Sequence, residues 1–237
     1  MLTKLDRVEQ RSRRDRGTVF NNLGHLISLE MLQLCHNMLD GKKAVGIDGI
    51  TKEAYEKDLD NNLKNLLMKI RKGSYHPKPS RIVEIPKSDG GQRPLAISCH
   101  EDKIVQDAVK RILERIYEPN FLECSHGFRP KRGCDTALVA LDEHLKSYDC
   151  GAVLEIDLRK YFNTIPHEPL VRLLKLKITD SRFLHLIIKL LKASTLGRDG
   201  KEERNKVGSP QGSILSPIIS NLYLHYGAPR KLRMSCG

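Results

Sequence analysis

Asp157 is the carboxylate in this 237-residue sequence whose surroundings most suggest chemistry. It stands near the end of the apolar run 152–158, which is typical of a short buried strand. A carboxylate on a rigid strand can bind a hard divalent cation, although it can also simply cap the following turn. Residues 159–162 are two cations and two aromatic rings. This combination favours a charged planar ligand such as a nucleotide.

A loop with two glycines and two prolines lies at 208–217. Its backbone N–H groups can approach an anion, because such a loop before a helix leaves them free to donate. The amide of Gln211, between Pro210 and Gly212, can reach a base or a sugar. The alternative is that the segment is only a rigid turn.

Lys87 and Arg93 flank a predicted hairpin turn at 88–91. Two cations at a hairpin tip can clamp a triphosphate, since both can donate to phosphate oxygens. Most such pairs are simply solvated, so these two residues are candidates only in combination with the other segments.

The overall charge predicts a polyanionic partner. Lys and Arg number 41 against 29 Asp and Glu, which gives a net charge of +12. Residues 128–132 form a basic cluster in which Arg129, Lys131 and Arg132 are candidate RNA contacts. Aromatic residues make up 5% of the chain and tryptophan is absent, which disfavours a platform for stacking single-stranded bases.

The sequence disfavours membrane and zinc functions. Residues 1–16 contain no apolar leader, and the longest stretch without Asp, Glu, Lys or Arg, 207–229, is broken by three prolines. The cysteines and histidines lack the tight paired spacings of structural zinc sites. We therefore expect a cytoplasmic protein without a membrane span.

Periodicity and turn residues predict a mixture of helices and antiparallel hairpins. Because they do not alternate as βαβ units, the predicted fold class is α+β. Residues 1–16 are either a solvated extension or an RNA-contacting arm. The predicted elements are a helix over 51–72, a linker over 75–79, a hairpin of 81–85 with 93–97, helices over 102–117 and 135–148, a buried strand at 152–158, a helix over 181–192, a hairpin within 195–207 and a helix from 216.

Five segments, in this order, resemble the reverse transcriptases encoded by bacterial group II introns, which are proteins of the maturase type. The resemblance covers about residues 40–226. Retron and CRISPR-associated reverse transcriptases are a less favoured alternative, because the first and third segments match the group II pattern better. The segments are A-V-G-I-D-G-I-T (44–51), I-P-K-S-D-G-G-Q-R-P-L (85–95), S-H-G-F-R-P (125–130), I-D-L-R-K-Y-F (156–162) and G-S-P-Q-G-S-I-L-S-P with N-L-Y-L (208–224).

The resemblance implies a right-hand polymerase fold with fingers at 41–150 and the first half of a palm at 151–226. A basic N-terminal extension at 1–40 would precede them, and residues 227–237 form an atypical tail. The implied reaction is RNA-directed DNA synthesis by two-metal nucleotidyl transfer. The implied partners are template or intron RNA, a DNA primer, dNTPs and Mg²⁺.

The resemblance also implies roles for residues at matching positions. Asp157 would be the first catalytic carboxylate and a Mg²⁺ ligand, assisted by the carbonyl of Leu158. Phe162 would be a steric gate that rejects the 2′-hydroxyl of rNTPs. The remaining implied nucleotide contacts are Lys87 and Arg93 to the triphosphate, with Gln211 and Gly212 lining the site.

One feature of the family pattern is missing. A Y-x-D-D motif is expected after residue 226, yet no Asp or Glu follows Glu203. One carboxylate cannot readily hold two Mg²⁺ ions against their repulsion. We therefore expect these 237 residues to lack polymerase activity by themselves. The alternative function is that of a catalytically incomplete, RNA-binding fragment of the maturase type that assists intron splicing.

Overall fold

The computed structural model describes residues 2–86, 90–147, 151–197 and 200–227. Short 3₁₀ turns lie at Gly24–Leu26 and Glu118–Asn120. The described helices and strands are α1 (Leu2–Arg14), α2 (Leu29–Met38), α3 (Lys52–Glu56), α4 (Leu59–Lys72), β1 (Ser80–Pro86), β2 (Gln92–Ile97), α5 (His100–Tyr117), α6 (Cys134–Lys146), α7 (Tyr161–Thr164), α8 (His167–Lys175), α9 (Ser181–Leu191), β3 (Thr195–Leu196), β4 (Glu202–Glu203) and α10 (Ser216–Gly227). This mixture confirms the α+β class.

Helix α5 is the centre of the core. Its predicted apolar face, from Ile104 to Tyr117, is fully buried against α1, α2 and α10. The polar side chains of Asp102, Gln106 and Asp107 are buried as well. A helix enclosed on several sides must place polar groups inside, and each of these three makes a hydrogen bond.

The N-terminal segment is packed, so the solvated-extension alternative for residues 1–16 is wrong. Residues Leu2–Arg14 form α1, which lies along α5 with Leu5 buried. Its buried Ser12 hydroxyl donates to the carbonyl of Ile116 at 2.6 Å and accepts from the Asn120 amide at 2.8 Å. This buried pairing holds α1 to the end of α5.

The predicted helix over 51–72 is two helices, α3 and α4, with a break between Glu56 and Leu59. Both predicted ends are confirmed. The Thr51 hydroxyl accepts from the backbone N–H of Ala54, and Gly73 ends α4 with a left-handed φ of 72°.

A mixed sheet of order β2-β1-β3-β4 joins the two predicted hairpins. Strands β1 and β2 are antiparallel, with Val83 opposite Leu95. Strand β3 runs parallel to β1, with Ser80 opposite Thr195, and pairs antiparallel with β4. The sheet therefore ties the segment before the predicted boundary at residue 150 to the segment after it. The turn residues 87–89 and 198–199 lie outside the described residues.

The prediction of a buried strand at 152–158 is wrong. These residues belong to no described helix or strand, and Val153 and Leu154 are 73% and 82% exposed. A strand needs a neighbour for its backbone hydrogen bonds, and no described residue pairs with this segment. The preceding helix, α6, is likewise without a buried residue, although Leu138 and Val139 give it an apolar face.

Other predictions hold for the second half of the chain. Helices α6 and α9 lie where they were expected, and α10 begins at Ser216. Helices α1, α2, α7 and α8 were not predicted. No described helix is both long enough and apolar enough to cross a bilayer.

Candidate functional site

The loop at 208–217 is held between β2 and the segment around α7. The backbone N–H of Ser209 donates to the Phe162 carbonyl at 2.8 Å, and that of Gly208 donates to the Ile165 carbonyl at 2.7 Å. On the other side, the backbone N–H of Ala96 donates to the Gln211 carbonyl at 2.7 Å. The loop therefore extends the edge of β2, so Gln211 and Phe162 are fixed near one another.

Two glycines make this close approach sterically possible. Gly208 and Gly212 have φ angles of 81° and 104°, which favour glycine. A Cβ on Gly208 would lie 2.6 Å from the backbone of Asn163, and one on Gly212 would lie 2.5 Å from the Ala96 carbonyl oxygen. The two glycines of the G-x-P-Q-G motif are therefore required by the packing of the loop.

Arg93 and Gln211 meet directly. The Arg93 Nε donates to Gln211 Oε1 at 2.7 Å, which joins the β1–β2 hairpin to the loop. A cavity of 200 Å³ lies beside this contact and is lined in part by Pro94, Asn163 and Ser209. The structure thus brings together two of the predicted nucleotide-binding residues. Lys87 lies outside the described residues.

Phe162 lies on the short helix α7 and is half-buried. Its ring meets the ring of Phe128 edge-on, with centroids 5.8 Å apart. Phe128 is 66% exposed and has a φ of 56°, a value unusual for a bulky residue. Two rings therefore stand beside the loop, in a place where a sugar or base could contact them.

Asp157 is exposed and lies five residues before Phe162, outside any described helix or strand. The carbonyl of Leu158 accepts from the backbone N–H of Tyr161 at 3.3 Å. The segment carrying the predicted metal ligands is thus a turn leading into α7. Its predicted catalytic role stays a prediction.

Within the basic cluster at 128–132, the prediction that Arg129 contacts RNA is corrected by the structure. Its side chain is buried, and its guanidinium donates to Glu118 Oε1 at 2.9 Å and to the Leu122 and Ser125 carbonyls at 2.6 Å. Arg132 is paired with Glu123. Because Arg129 donates to internal acceptors, it holds the 118–129 segment together instead of facing RNA. Lys131 is exposed and stays a candidate RNA contact.

Sequence reasoning missed Gln106, a buried residue of α5. Its Oε1 accepts from the backbone N–H of Ile214 at 3.0 Å, and its Nε2 donates to Ser98 Oγ at 3.1 Å. Gln106 therefore links the loop at 208–217 to Ser98, which directly follows β2. The available signal was an amide on the otherwise apolar face of a strongly periodic helix.

Asp102 is a second missed positioning residue. Its carboxylate accepts from the Tyr75 hydroxyl at 2.5 Å and from the backbone N–H of Lys78 at 3.1 Å. Burial raises the pKa of Asp102 to about 6, against the lowering effect of these hydrogen bonds. The contact pins the linker at 75–79 to α5 and so sets where β1 begins.

The donors present fit part of a Mg²⁺ site only. The Asp157 carboxylate and the Leu158 carbonyl are hard oxygen donors of the kind Mg²⁺ prefers. Within residues 2–86, 90–147, 151–197 and 200–227, however, no cluster of three or more His, Cys, Asp or Glu side chains could hold a metal. A two-ion centre needs carboxylates beyond those described.

The sequence has relatives among proteins encoded in introns. The chain is 36% identical over 228 residues to a 91 kDa protein in the cob intron of Schizosaccharomyces pombe, covering 95% of this chain and 28% of that protein. It is 35% identical over 225 residues to the group II intron-encoded protein LtrA of Lactococcus lactis, covering 93% of this chain and 37% of LtrA. The chain thus spans about a third of the length of these relatives, and the predicted group II resemblance is confirmed.

The fold has relatives among solved structures. A chain of a partial Cas6-RT-Cas1–Cas2 complex aligns with 84% of this chain and 33% of its own length, at a TM-score of 0.52 and 18% identity. The profile of the family described as reverse transcriptase (RNA-dependent DNA polymerase) matches residues 85–233, more than half of the sequence. The chain therefore belongs to the reverse transcriptase family.

Proposed function

We propose that this chain forms the fingers, at 41–150, and the first part of the palm, at 151–226, of a polymerase that copies RNA into DNA. The observation that carries the proposal is the Arg93–Gln211 contact beside Phe162, which places three predicted nucleotide-binding side chains around one loop. The partners proposed with it are template RNA, a DNA primer and dNTPs.

Mg²⁺ is the proposed cofactor, and its role follows from the donors. Asp157, with the Leu158 carbonyl, would hold one ion, which would supply charge neutralisation at the reacting phosphate. Arg93 would hold the incoming triphosphate by charge-assisted hydrogen bonds after its hydrogen bond to Gln211 breaks. Phe162 would exclude the 2′-hydroxyl from the sugar position by shape.

A second candidate function is RNA binding without synthesis, of the kind that assists intron splicing. Two observations favour it for the 237 residues alone. The described residues lack a carboxylate cluster for two metals, and the segment carrying Asp157 is exposed rather than built into a sheet. The net charge of +12 supports either function.

Primer extension on an RNA template, set beside filter binding of the same RNA, distinguishes these functions. We expect the purified chain to bind the RNA and to give no processive extension. Joined to the part of LtrA that follows the matched region, the chain should extend primers, and Asp157→Asn should remove that activity while RNA binding stays. Glu155→Gln is the matched control, because it removes an exposed charge two residues away.

Three results would contradict these expectations. Activity of the joined polymerase that survives Asp157→Asn would show that this carboxylate does not serve the reaction. Robust extension by the 237 residues alone would show that the metal site is completed in a way that this structure does not display. Failure of the chain to bind RNA would remove both candidate functions.

A further inference from the structure

A groove of 530 Å³ lies between the end of α4 and the beginning of α9. Arg71 and Lys72 approach it from α4, and Arg182, His185 and Lys189 from α9. The last three are spaced so that they share one helix face. None of the residues that line this groove is acidic. It shares no residue with the cavity beside Arg93 and Gln211.

Lys189 fixes the shape of the groove. Its ammonium donates to the carbonyls of Gly73 and Tyr75, at 2.7 and 2.9 Å, and so joins α9 to the chain leaving α4. Because these carbonyls occupy Lys189, the charges that the groove can offer to a ligand are those of Arg71, Lys72 and Arg182. Among the described residues, the side chains of Arg71, Lys72 and Arg182 themselves form no ion pair.

The groove continues into a second cavity of 620 Å³, which shares Arg71 and Arg182 and adds the polar side chains of Asn21, Asn22 and His25. Asp180 borders this second cavity. Its carboxylate accepts from the backbone N–H groups of Leu23, Gly24 and Phe183, at 2.7 to 3.0 Å. Burial of this carboxylate raises its pKa, but the hydrogen bonds together outweigh that effect, so the pKa of Asp180 is lowered and the group stays charged as the cap of α9. This negative charge lies at the edge of the second cavity, so the phosphate contacts belong to the first groove, whose lining has no acid.

We propose that this groove, which we call the α4–α9 groove, binds the sugar–phosphate backbone of an RNA helix. Guanidinium groups on two facing walls suit phosphate, because each can donate two parallel hydrogen bonds. The amides beyond them suit ribose hydroxyls. Unpaired bases have no platform here, since the aromatic ring of Tyr75 is buried and bonded to Asp102.

This inference assumes only the RNA-binding part of the proposed function and does not require synthesis. The α4–α9 groove would hold a helical part of the RNA while the loop around Gln211 handles the nucleotide. The chain would thus contact RNA at two separate places, one for chemistry and one for anchoring.

The test measures binding of a fluorescein-labelled RNA duplex to the whole chain over a range of KCl concentrations. The groove variant is Arg71→Gln with Arg182→Gln. The matched control is Lys57→Gln with Lys146→Gln, which removes the same charge from exposed side chains elsewhere. We expect the groove variant to bind about tenfold more weakly and to lose about one to two from the salt slope, with the control near wild type. Melting temperatures should agree among all three proteins.

Several outcomes would overturn the inference. If wild type binds the duplex and both variants bind equally well, the groove is not the site, although the proposed function stands. If wild type binds neither the duplex nor a template–primer, the groove and the proposed function fail together. A parallel assay measures binding of the same proteins to phosphatidylserine vesicles. If the groove variant loses vesicle binding while its RNA binding is unchanged, the groove serves a membrane surface and not RNA.

Discussion

Single atoms decide whether the loop at 208–217 can lie against β2. We expect Gly212→Ala to destabilise the chain by about 2–4 kcal/mol, because the new Cβ would meet the Ala96 carbonyl and the φ of 104° strains any L residue. Gly200→Ala is the matched control. It has a similar positive φ of 73° with open space around it, so it should cost about 1 kcal/mol. Urea unfolding measures both, and equal losses would rule out the steric cause.

Phe162 allows a prediction about sugar selection. If the chain joined to the remaining part of LtrA extends primers, Phe162→Ala in it should raise incorporation of ATP relative to dATP by about a hundredfold, because the space under the sugar opens. DNA synthesis should survive at reduced efficiency, since Asp157 is untouched.

Steady-state incorporation of the two nucleotides measures this ratio. Phe128→Ala is the comparison variant, because it removes the ring packed edge-on against Phe162 and leaves the Phe162 ring in place. An unchanged ratio in Phe162→Ala would show that this ring is only a packing residue, whatever happens to the melting temperature.

Asp102 should make stability depend on pH in an unusual direction. Its folded-state pKa of about 6 is above the ordinary value of 3.8, so the folded chain holds this proton more tightly than the unfolded chain. The resulting stabilisation is complete below about pH 4 and is lost as the pH rises through about 6.

Asp102→Asn should remove this dependence. The variant loses an amount of stability that does not depend on pH, because its amide faces the donors that the carboxylate faced. Wild type alone loses stability as the pH rises, so the free energy of unfolding of the variant relative to wild type should improve by about 2 kcal/mol from pH 4 to pH 7. Urea midpoints over that range test this, with the exposed Asp135→Asn as control. A difference that stays flat would contradict the raised pKa.

At the scale of elements, local signals predicted the helices and hairpins with strong patterns. Helix α5 has a continuous apolar face, β1 and β2 flank a glycine turn, and Gly73 stops α4. The break between α3 and α4 lies at Lys57 and Asp58, where no strong breaker signals it. Helices α2 and α8 have only 10 and 9 residues, so each offers few turns in which a helical period can be recognised.

The failure at 152–158 has a different cause. Seven mostly apolar residues satisfy the pattern of a buried strand, but burial also requires a partner that a local pattern cannot supply. The same reason explains why the site was only partly predictable. The contact between Arg93 and Gln211 joins residues far apart in sequence, and the burial of Arg129 depends on Glu118 and two carbonyls.

The exposure of residues 152–158 can be tested by shortening one of their side chains. Leu154→Ala should change the free energy of unfolding by less than about 0.5 kcal/mol, because the side chain is already in solvent. Leu113→Ala, within the core of α5, should cost about 2–5 kcal/mol. Thermal unfolding compares the two. A large loss at Leu154 would restore the buried strand that the sequence predicts.

For the whole molecule, the charge of +12 predicts how RNA binding responds to salt. Displaced counterions should give a slope of about −3 to −6 in log affinity against log salt, if several phosphates are neutralised. Fluorescence anisotropy over a KCl series measures it, with an uncharged peptide nucleic acid of the same sequence as control. A slope near zero would show that the affinity does not come from phosphate contacts.

The buried contact between Ser12 and the end of α5 joins residues 104 positions apart. Helix α10 packs on the same helix but is synthesised after it, so α1 is the helix that lacks its partner at first. At a synthesis rate of about 5–20 residues per second, α1 emerges several seconds before its partner exists. During that interval its apolar side must be tolerated in water or held by a chaperone. The order of translation thus makes this core a late-closing one, whose folding is slowed by distant contacts more than by weak local structure.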